Sequence, residues 1–394
     1  MVAAFPKRLK AAILCDFAEE NWPSMDLVAS VLLEQLQSAH ARGIDAVMIR
    51  PAFRRRFTRA DAMRRSPLMF NADRILNRFI DYPLALAQRR NQFDIFHVTD
   101  HSYSHLLHHL PHGRTVVTCH DLDSFRCVLE PAMERRSSAF KLMTRRIVDG
   151  LRRAAAVACV SEATREECLR HRLLPVERTT TILNGVSPIF AMDSDPASDH
   201  DAERLIGPAR PETVEVLHVG STIPRKRIDI LLRVFAGIRE RFPAARLIRV
   251  SGPFTMTQNT LLLRLGLEQA TTVLPFIPMA TLAALYRRAA LVLVPSEAEG
   301  FGLPVIEAMA CGATVIASDI PALREIGSDA ALFAEAGNAD AMVKLALDVL
   351  QEQKTDAVDA LRRRDRAIAN AARFSWTEYA RQYAELYQRV AQSN

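Results

Sequence analysis

Short apolar runs alternate with longer amphipathic segments along most of the chain. In the first half, the runs at 11–16, 44–49, 94–99, 114–119, 155–160 and 179–183 are β-branched and aliphatic and predict strands. Residues 25–41 and 141–153 carry apolar positions at helical spacing, and Ser161 reads as the cap of another helix. Asn184-Gly185 is a turn signal. A second series follows, with strands predicted near 214–219, 246–250, 272–274, 290–294, 314–317 and 330–333. Strands alternating with helices imply a parallel, doubly wound α/β sheet. Between the two series, residues 191–212 lose periodicity and are polar.

The expected organisation is therefore two α/β domains, 1–190 and 213–373, joined by a linker at 191–212. Residues 374–394 form a closing amphipathic helix. A chain of 394 residues is long for one domain and comfortable for two.

Composition narrows the class only slightly. Hydrophobic residues make up 49% and charged ones 24%, an ordinary balance for a globular protein in water. No apolar run reaches the ~18 residues of a membrane span. The first ten residues are too short and too basic for a signal peptide with an apolar core. Cys15, Cys119, Cys127, Cys159, Cys168 and Cys311 form no CxxC pair and read as free thiols of a reducing cytoplasm. The expected location is cytoplasmic, or peripheral at the inner membrane face.

The net charge of +6 comes with basic runs at Arg54-Arg55-Arg56, Arg64-Arg65, Arg89-Arg90, Arg135-Arg136, Arg145-Arg146 and Arg152-Arg153. Solvated helix faces account for them, as does a face for anionic lipid or a lipid-diphosphate acceptor. No aromatic-interleaved basic motif or recognition helix supports nucleic acid, so no such partner is expected.

The densest chemistry lies in Glu299-Gly300-Phe301-Gly302-Leu303-Pro304-Val305-Ile306-Glu307. It follows a buried strand. Pro304 suits the first turn of a helix and Gly312 its end. The resulting βαβ loop sits at the carboxyl end of the sheet, where open α/β folds bind ligands. The free N–H groups of Gly302 and Leu303 favour an anion. Two carboxylates beside an anion site make sense when the ligand also carries hydroxyls. A nucleotide-sugar has both parts.

This segment resembles the E-x7-E signature of retaining glycosyltransferases with the GT-B fold, family 4 in particular. Pro295-Ser296, Glu299-Gly300-Phe301-Gly302, Glu307-Ala308-Met309-Ala310, Gly312 and Ser318 stand where that pattern places them. The resemblance implies two Rossmann-like doubly wound parallel-sheet domains facing a cleft. The first would take the acceptor and the second the nucleotide-sugar, with the C-terminal helix crossing back to the first. It implies a retaining hexosyl transfer from a nucleotide diphosphate sugar (GDP- or UDP-sugar) to an acceptor hydroxyl, in cell-surface polysaccharide or glycolipid synthesis. The partners would be that donor and a saccharide or lipid-linked acceptor, with peripheral contact to an anionic membrane as a further expectation.

Site residues follow from the same resemblance. Glu299 and His120 are the expected catalytic residues. Gly220, Ser221, Arg225, Lys226, Phe276, Ile277, Glu299, Gly300, Phe301, Gly302, Leu303 and Glu307 are expected to bind the donor. Glu307 would hold the ribose diol and Glu299 the sugar hydroxyls. The family has an arginine directly after the glycine at 220 and a lysine further on. Here Ser221 takes the arginine's place while Lys226 matches the lysine, and Arg225 is the candidate for the missing cation. Phe276 and Ile277 would border the base.

Trp22, Ser24, Asp26, His101 and Asp121 are acceptor-side candidates, with Ser24 read as the cap of the following helix. The histidines at 97, 101, 105, 108, 109 and 112 crowd one region but lack a metal-binding frame such as HExxH. No metal and no cofactor are expected. A GT-B-like nucleotide-sugar epimerase and a catalytically inactive nucleotide-sugar-binding subunit are the alternatives. Ser221 and the loop at 16–26, which lacks the family's glycines, favour the second.

Overall fold

The computed structural model describes residues 8–38, 43–60, 63, 66–210 and 212–393. Arg64-Arg65 lies outside the described residues. The chain separates into two compact units, residues 1–184 with 376–394, and residues 185–375.

In the first unit, strands β1 (Leu9–Leu14), β2 (Ile44–Ile49), β3 (Ile95–Val98), β4 (Thr115–Cys119), β5 (Ala156–Cys159) and β6 (Thr179–Thr181) form one parallel sheet. Its order is β2-β1-β3-β4-β5-β6. β3, β4 and β5 are buried at every position, which is why they read as continuous apolar runs rather than alternating ones. β1 has β2 on one side and β3 on the other, so the chain reverses its direction of travel there. The loops after β1 and β3 therefore open together at the sheet's carboxyl edge.

The helix Trp376–Gln392 belongs to this unit. Tyr379, Tyr383 and Tyr387 recur at four-residue spacing and are buried beside Ile13, Ile95 and Val116. The polar ends of two of them are satisfied inside the core. Tyr387 Oη lies 2.6 Å from His97 Nδ1, Tyr383 Oη lies 2.6 Å from Thr118 Oγ1, and His97 Nε2 lies 2.7 Å from the same Thr118 oxygen.

The second unit repeats the plan with β7 (Glu215–Val219), β8 (Arg246–Val250), β9 (Thr271–Leu274), β10 (Leu291–Val294), β11 (Val315–Ser318) and β12 (Leu332–Ala334). All are parallel, in the order β12-β11-β10-β7-β8-β9. Here the reversal falls between β7 and β10.

Residues 191–212, read as linker, hold the helix Pro196–Ile206 within this unit. Only Ser198, Ala202 and Ile206 are buried along it, too sparse an apolar stripe to show as periodicity. Charge fixes it instead: Arg287 Nη2 pairs with Asp199 Oδ1 at 2.6 Å. No described helix is long and apolar enough to cross a membrane.

The tyrosine ladder gives a stability prediction. Tyr383→Phe removes one buried hydroxyl while Thr118 keeps His97, at about 1 kcal/mol. Tyr383→Ala opens a cavity and costs about 3–5 kcal/mol. Urea denaturation of the full chain separates the two. Equal losses would show that the ladder contributes hydrogen bonding and no packing.

Candidate functional site

β7 and β10 are neighbours, so the loops that leave them share one edge of the sheet. The loop after β7 runs from Gly220 to a short turn at Pro224–Lys226. The loop after β10 carries Ser296 and Glu299. Lys226 Nζ donates to Glu299 Oε1 at 2.5 Å, and Ser296 Oγ donates to the same oxygen at 2.7 Å. Arg225 Nη1 lies 3.8 Å from Glu299 Oε2 and donates to the Ala298 carbonyl at 3.2 Å. The Glu299 side chain is only 7% exposed. Burial opposes its charge, but Lys226, Arg225 and Ser296 outweigh burial and hold its carboxyl below the ordinary value. Glu299 is therefore ionised at neutral pH.

Gly302 then opens the helix Leu303–Ala310 with φ 109°, a left-handed conformation that glycine adopts without penalty. A Cβ there would also stand 2.7 Å from Leu323 Cδ2. The helix ends as its sequence signals. Gly312 N donates to Met309 O and Ala313 N to Ala308 O, both at 2.9 Å, which closes a Schellman turn.

Glu307 lies one turn into this helix. Tyr286 Oη donates to its Oε2 at 3.0 Å. Burial outweighs that bond and pushes the carboxyl up to about 7. The two glutamates of the motif thus differ in protonation, because only Glu299 has cations beside it.

Other expected donor residues fare differently. Phe301 is buried and meets Phe374 edge-to-face at 5.9 Å, so its ring serves packing rather than a ligand. Phe276 and Ile277 follow β9, two strands from β7, and Phe276 is exposed. Gly220 N donates to Val250 O at 3.2 Å, tying the start of its loop to the end of β8.

In the first unit, His120 follows β4 and is buried. Its Nε2 lies 2.7 Å from the Thr99 carbonyl, so Nε2 carries the proton. Burial, the largest influence, lowers its pKa although Asp100 opposes. The neutral ring therefore presents Nδ1 as an acceptor. His101 lies beside it: His120 N donates to His101 Nδ1 at 3.3 Å, and His101 Nε2 reaches Ser124 Oγ at 3.1 Å and Asp121 Oδ1 at 3.9 Å.

The structure adds residues that the sequence analysis did not single out. Asp16 lies just past β1 and Asp100 just past β3, at the reversal of this sheet. Asp16 Oδ2 is buried with no partner among the described residues, and burial followed by Asp100 and Glu20 raises its pKa well above the ordinary value. Arg78 lies under this group, donating to Glu20 Oε2 at 3.3 Å and stacked 4.1 Å over Tyr103. The last residue of the strand predicted at 11–16 is Asp16, and Asp100 directly follows the strand predicted at 94–99, so reading the strand ends would have found both.

Trp22 is exposed at the mouth of the helix Pro23–Ser38. That helix begins before Ser24, so Ser24 lies inside its first turn rather than capping it. Met25 N and Asp26 N donate to the Trp22 carbonyl, which closes the turn on the backbone. Asp26 pairs with Arg50.

The crowded histidines are engaged separately. His105 binds Arg78 O at 2.8 Å and His108 binds Arg146 O at 3.0 Å, while His112 lies 2.7 Å from Arg153 Nη2. Among the described residues, only Cys119, Cys159 and Cys168 gather as potential metal ligands, and all three are buried in the apolar core of the first unit.

The reversal-point loops bring the helix start at Gly302 together with cations and buried carboxylates at one sheet edge. Comparison with known proteins supplies the family. Glycosyl transferases group 1 matches residues 199–373, and Glycosyltransferase Family 4 matches residues 28–189. The chain is similar to O-antigen chain mannosyltransferase B of Escherichia coli, 28% identical over 82% of this chain and 81% of that one. It spans only 34% of the longer serotype-specific mannosyltransferase WbdA of Escherichia coli, again at 28% identity and over 71% of this chain.

Among solved structures, sucrose-phosphate synthase from Thermosynechococcus elongatus shares the fold with a TM-score of 0.75, 21% identity, and coverage of 98% of this chain and 100% of that one. Anabaena HepE, solved with UDP and glucose, gives 0.71 at 18% identity, covering 97% of this chain and 100% of that one. The chain belongs to the group 1 glycosyltransferases and has the GT-B fold. It is an enzyme of that family.

Glu307 supplies a pH test. A carboxyl whose pKa rises on folding carries no penalty below its unfolded value near 4.5. Stability then falls as pH climbs towards about 7 and levels off above it. Glu307→Gln should therefore match the parent near pH 4 and exceed it by about 2–3 kcal/mol at pH 8. Chemical denaturation across that range checks it, and a pH-independent difference would refute the assignment.

Proposed function

We propose that this enzyme transfers a hexosyl unit from a nucleotide diphosphate sugar to an acceptor hydroxyl with retention of anomeric configuration, in the synthesis of a cell-surface polysaccharide. The observation that carries the reading is Glu299 held ionised by Lys226, Arg225 and Ser296 at the same sheet edge as the helix start at Gly302. Bond breaking builds negative charge on the leaving diphosphate. Lys226, Arg225, the first amides of the helix Leu303–Ala310 and its dipole are fixed donors for that charge. Glu299 accepts sugar hydroxyls, and Glu307, once deprotonated, accepts the ribose diol. His120 offers its bare Nδ1 to a further hydroxyl. These cations supply the neutralisation that a divalent metal gives elsewhere, so activity should survive EDTA.

The similarity to an O-antigen mannosyltransferase supports a saccharide acceptor and a hexose donor. Peripheral attachment to an anionic cytoplasmic membrane face is part of the same reading. It is supported by exposed Leu142 on the helix Ser138–Arg152, which carries Arg145 and Arg146.

A thermal-shift screen of UDP, GDP, ADP and their sugars identifies the donor, since a ligand at 100 times its Kd stabilises by about 2.7 kcal/mol. Lys226→Ala and Glu307→Ala should each weaken donor binding about tenfold to a hundredfold. Glu299→Ala should chiefly lower kcat. Normal transfer by all three variants from every donor tested would sink the site assignment. Calorimetry near pH 6 should also register proton release on donor binding, and Glu307→Gln should abolish it.

A further inference from the structure

Among the described residues, Arg249 is the largest side chain with no solvent exposure. It lies on β8 in register with His218 of β7, one residue before the end of the strand. Its Nη2 donates to the Gly220 carbonyl at 3.0 Å, and its Nη1 donates to the Gly252 carbonyl. The guanidinium stands 4.9 Å over the Phe254 ring. Ser251 and Gly252 hold left-handed conformations, with φ of 100° and 91°, that bring the Gly252 carbonyl round to it.

Among the described residues, no carboxylate pairs with Arg249. Burial alone pulls its pKa down to about 10, so it remains a cation at neutral pH. Two carbonyls satisfy part of its hydrogen bonding, but nothing neutralises its charge. An uncompensated buried charge is strongly unfavourable unless an anion arrives to balance it.

The anion is indicated by what Arg249 holds. Gly220 precedes Ser221, the position at which the group 1 pattern has an arginine. The other two cations of this loop are already engaged, since Lys226 and Arg225 both face Glu299. With Arg227 paired to Asp229 and Glu297, the cations Arg249, Lys226 and Arg225 are left against Glu299, and a diphosphate suits the excess.

We infer that Arg249 is the positioning residue for the diphosphate end of the donor site. From beneath the loop it fixes Gly220 and supplies the positive charge that Ser221 lacks. It does not touch the donor. It acts through the Gly220 carbonyl and through its field, which the dry surroundings leave unscreened. The inference rests on the donor reading proposed above.

The test is calorimetric, on the full chain, with the nucleoside diphosphate that the thermal screen selects and with the corresponding nucleoside. Arg249→Met should lose at least tenfold in diphosphate affinity and less than threefold in nucleoside affinity. Adding Ser221→Arg to Arg249→Met should restore diphosphate affinity to within threefold of the unaltered chain, a recovery that repair of a packing defect would not produce.

Retained diphosphate affinity in Arg249→Met, an equal loss for the nucleoside, or no recovery in the double variant overturns the inference. Should Arg249→Met not fold, Ser221→Arg alone decides. A gain below threefold means the cation is already supplied, and a larger gain means it is missing. An unaltered chain that binds no nucleoside diphosphate removes the donor reading and this inference with it. Binding that Arg249→Met leaves unchanged removes the inference alone.

Discussion

A parallel sheet can present polar groups only at its rims, and this constraint governs where chemistry occurs in the chain. Within the central strands, backbone groups are bonded to neighbours and side chains are buried on both faces. At the reversal points, β1 beside β3 and β7 beside β10, the connections depart in opposite directions and leave the carboxyl edge uncovered. Asp16, Asp100 and His120 lie at or just past strand ends around one such edge. Gly220, Lys226 and Glu299 lie around the other. Polar side chains inside the strands, such as His97, Thr118 and Arg249, are buried and bonded internally, so the groups open to a ligand gather at these edges.

Within that constraint, the balance of desolvation against neighbouring charge assigns each group its state. Burial raises the pKa of both Glu299 and Glu307. Glu299 stays ionised because two cations and a hydroxyl face it. Glu307 has a tyrosine hydroxyl alone, which is too weak to offset burial, so it keeps its proton up to near neutrality. A buried lysine–glutamate pair contributes little to folding, because the desolvation of two charges consumes most of the attraction. Lys226–Glu299 is better explained as a pre-arranged set of partners that a ligand can take over. The phosphate would then replace Glu299 on Lys226, and sugar hydroxyls would replace Lys226 on Glu299.

Local signals were legible in the sequence, and long-range ones were not. The helix from Leu303 and its Schellman end follow from Gly302, Pro304 and Gly312, all within a dozen residues. The pairing of Lys226 with Glu299 follows once β7 and β10 are recognised as first and returning strands. Arg249 was invisible because one charged residue in an apolar run reads as a surface position, whereas its carbonyl partners come from distant loops. The packing of the Phe301 ring on Phe374 was not legible because proximity to Glu299 in sequence does not fix which way a ring points. The helix Pro196–Ile206 was missed because its anchor, Arg287, is remote in sequence and its apolar stripe is thin. The pairing of Asp16 with Asp100 depends on strand order, which periodicity does not reveal.

The two reversal points also differ in the kind of partner they can bind. The edge at β7 and β10 offers cations, helix amides and one ionised carboxylate, a set matched to an anion that carries hydroxyls. The edge at β1 and β3 offers a neutral histidine with a bare nitrogen and a carboxyl, Asp16, whose pKa burial and the neighbouring Asp100 raise. Arg78, beneath it, is already engaged by Glu20 and stacked on Tyr103, and Arg50, also near Asp16, is paired with Asp26. Among the described residues, both of these cations already face acidic partners, whereas a sugar hydroxyl would find an acceptor in His120. Under the proposed donor reading, electrostatics would assign the diphosphate to the second unit and uncharged hydroxyls to the first.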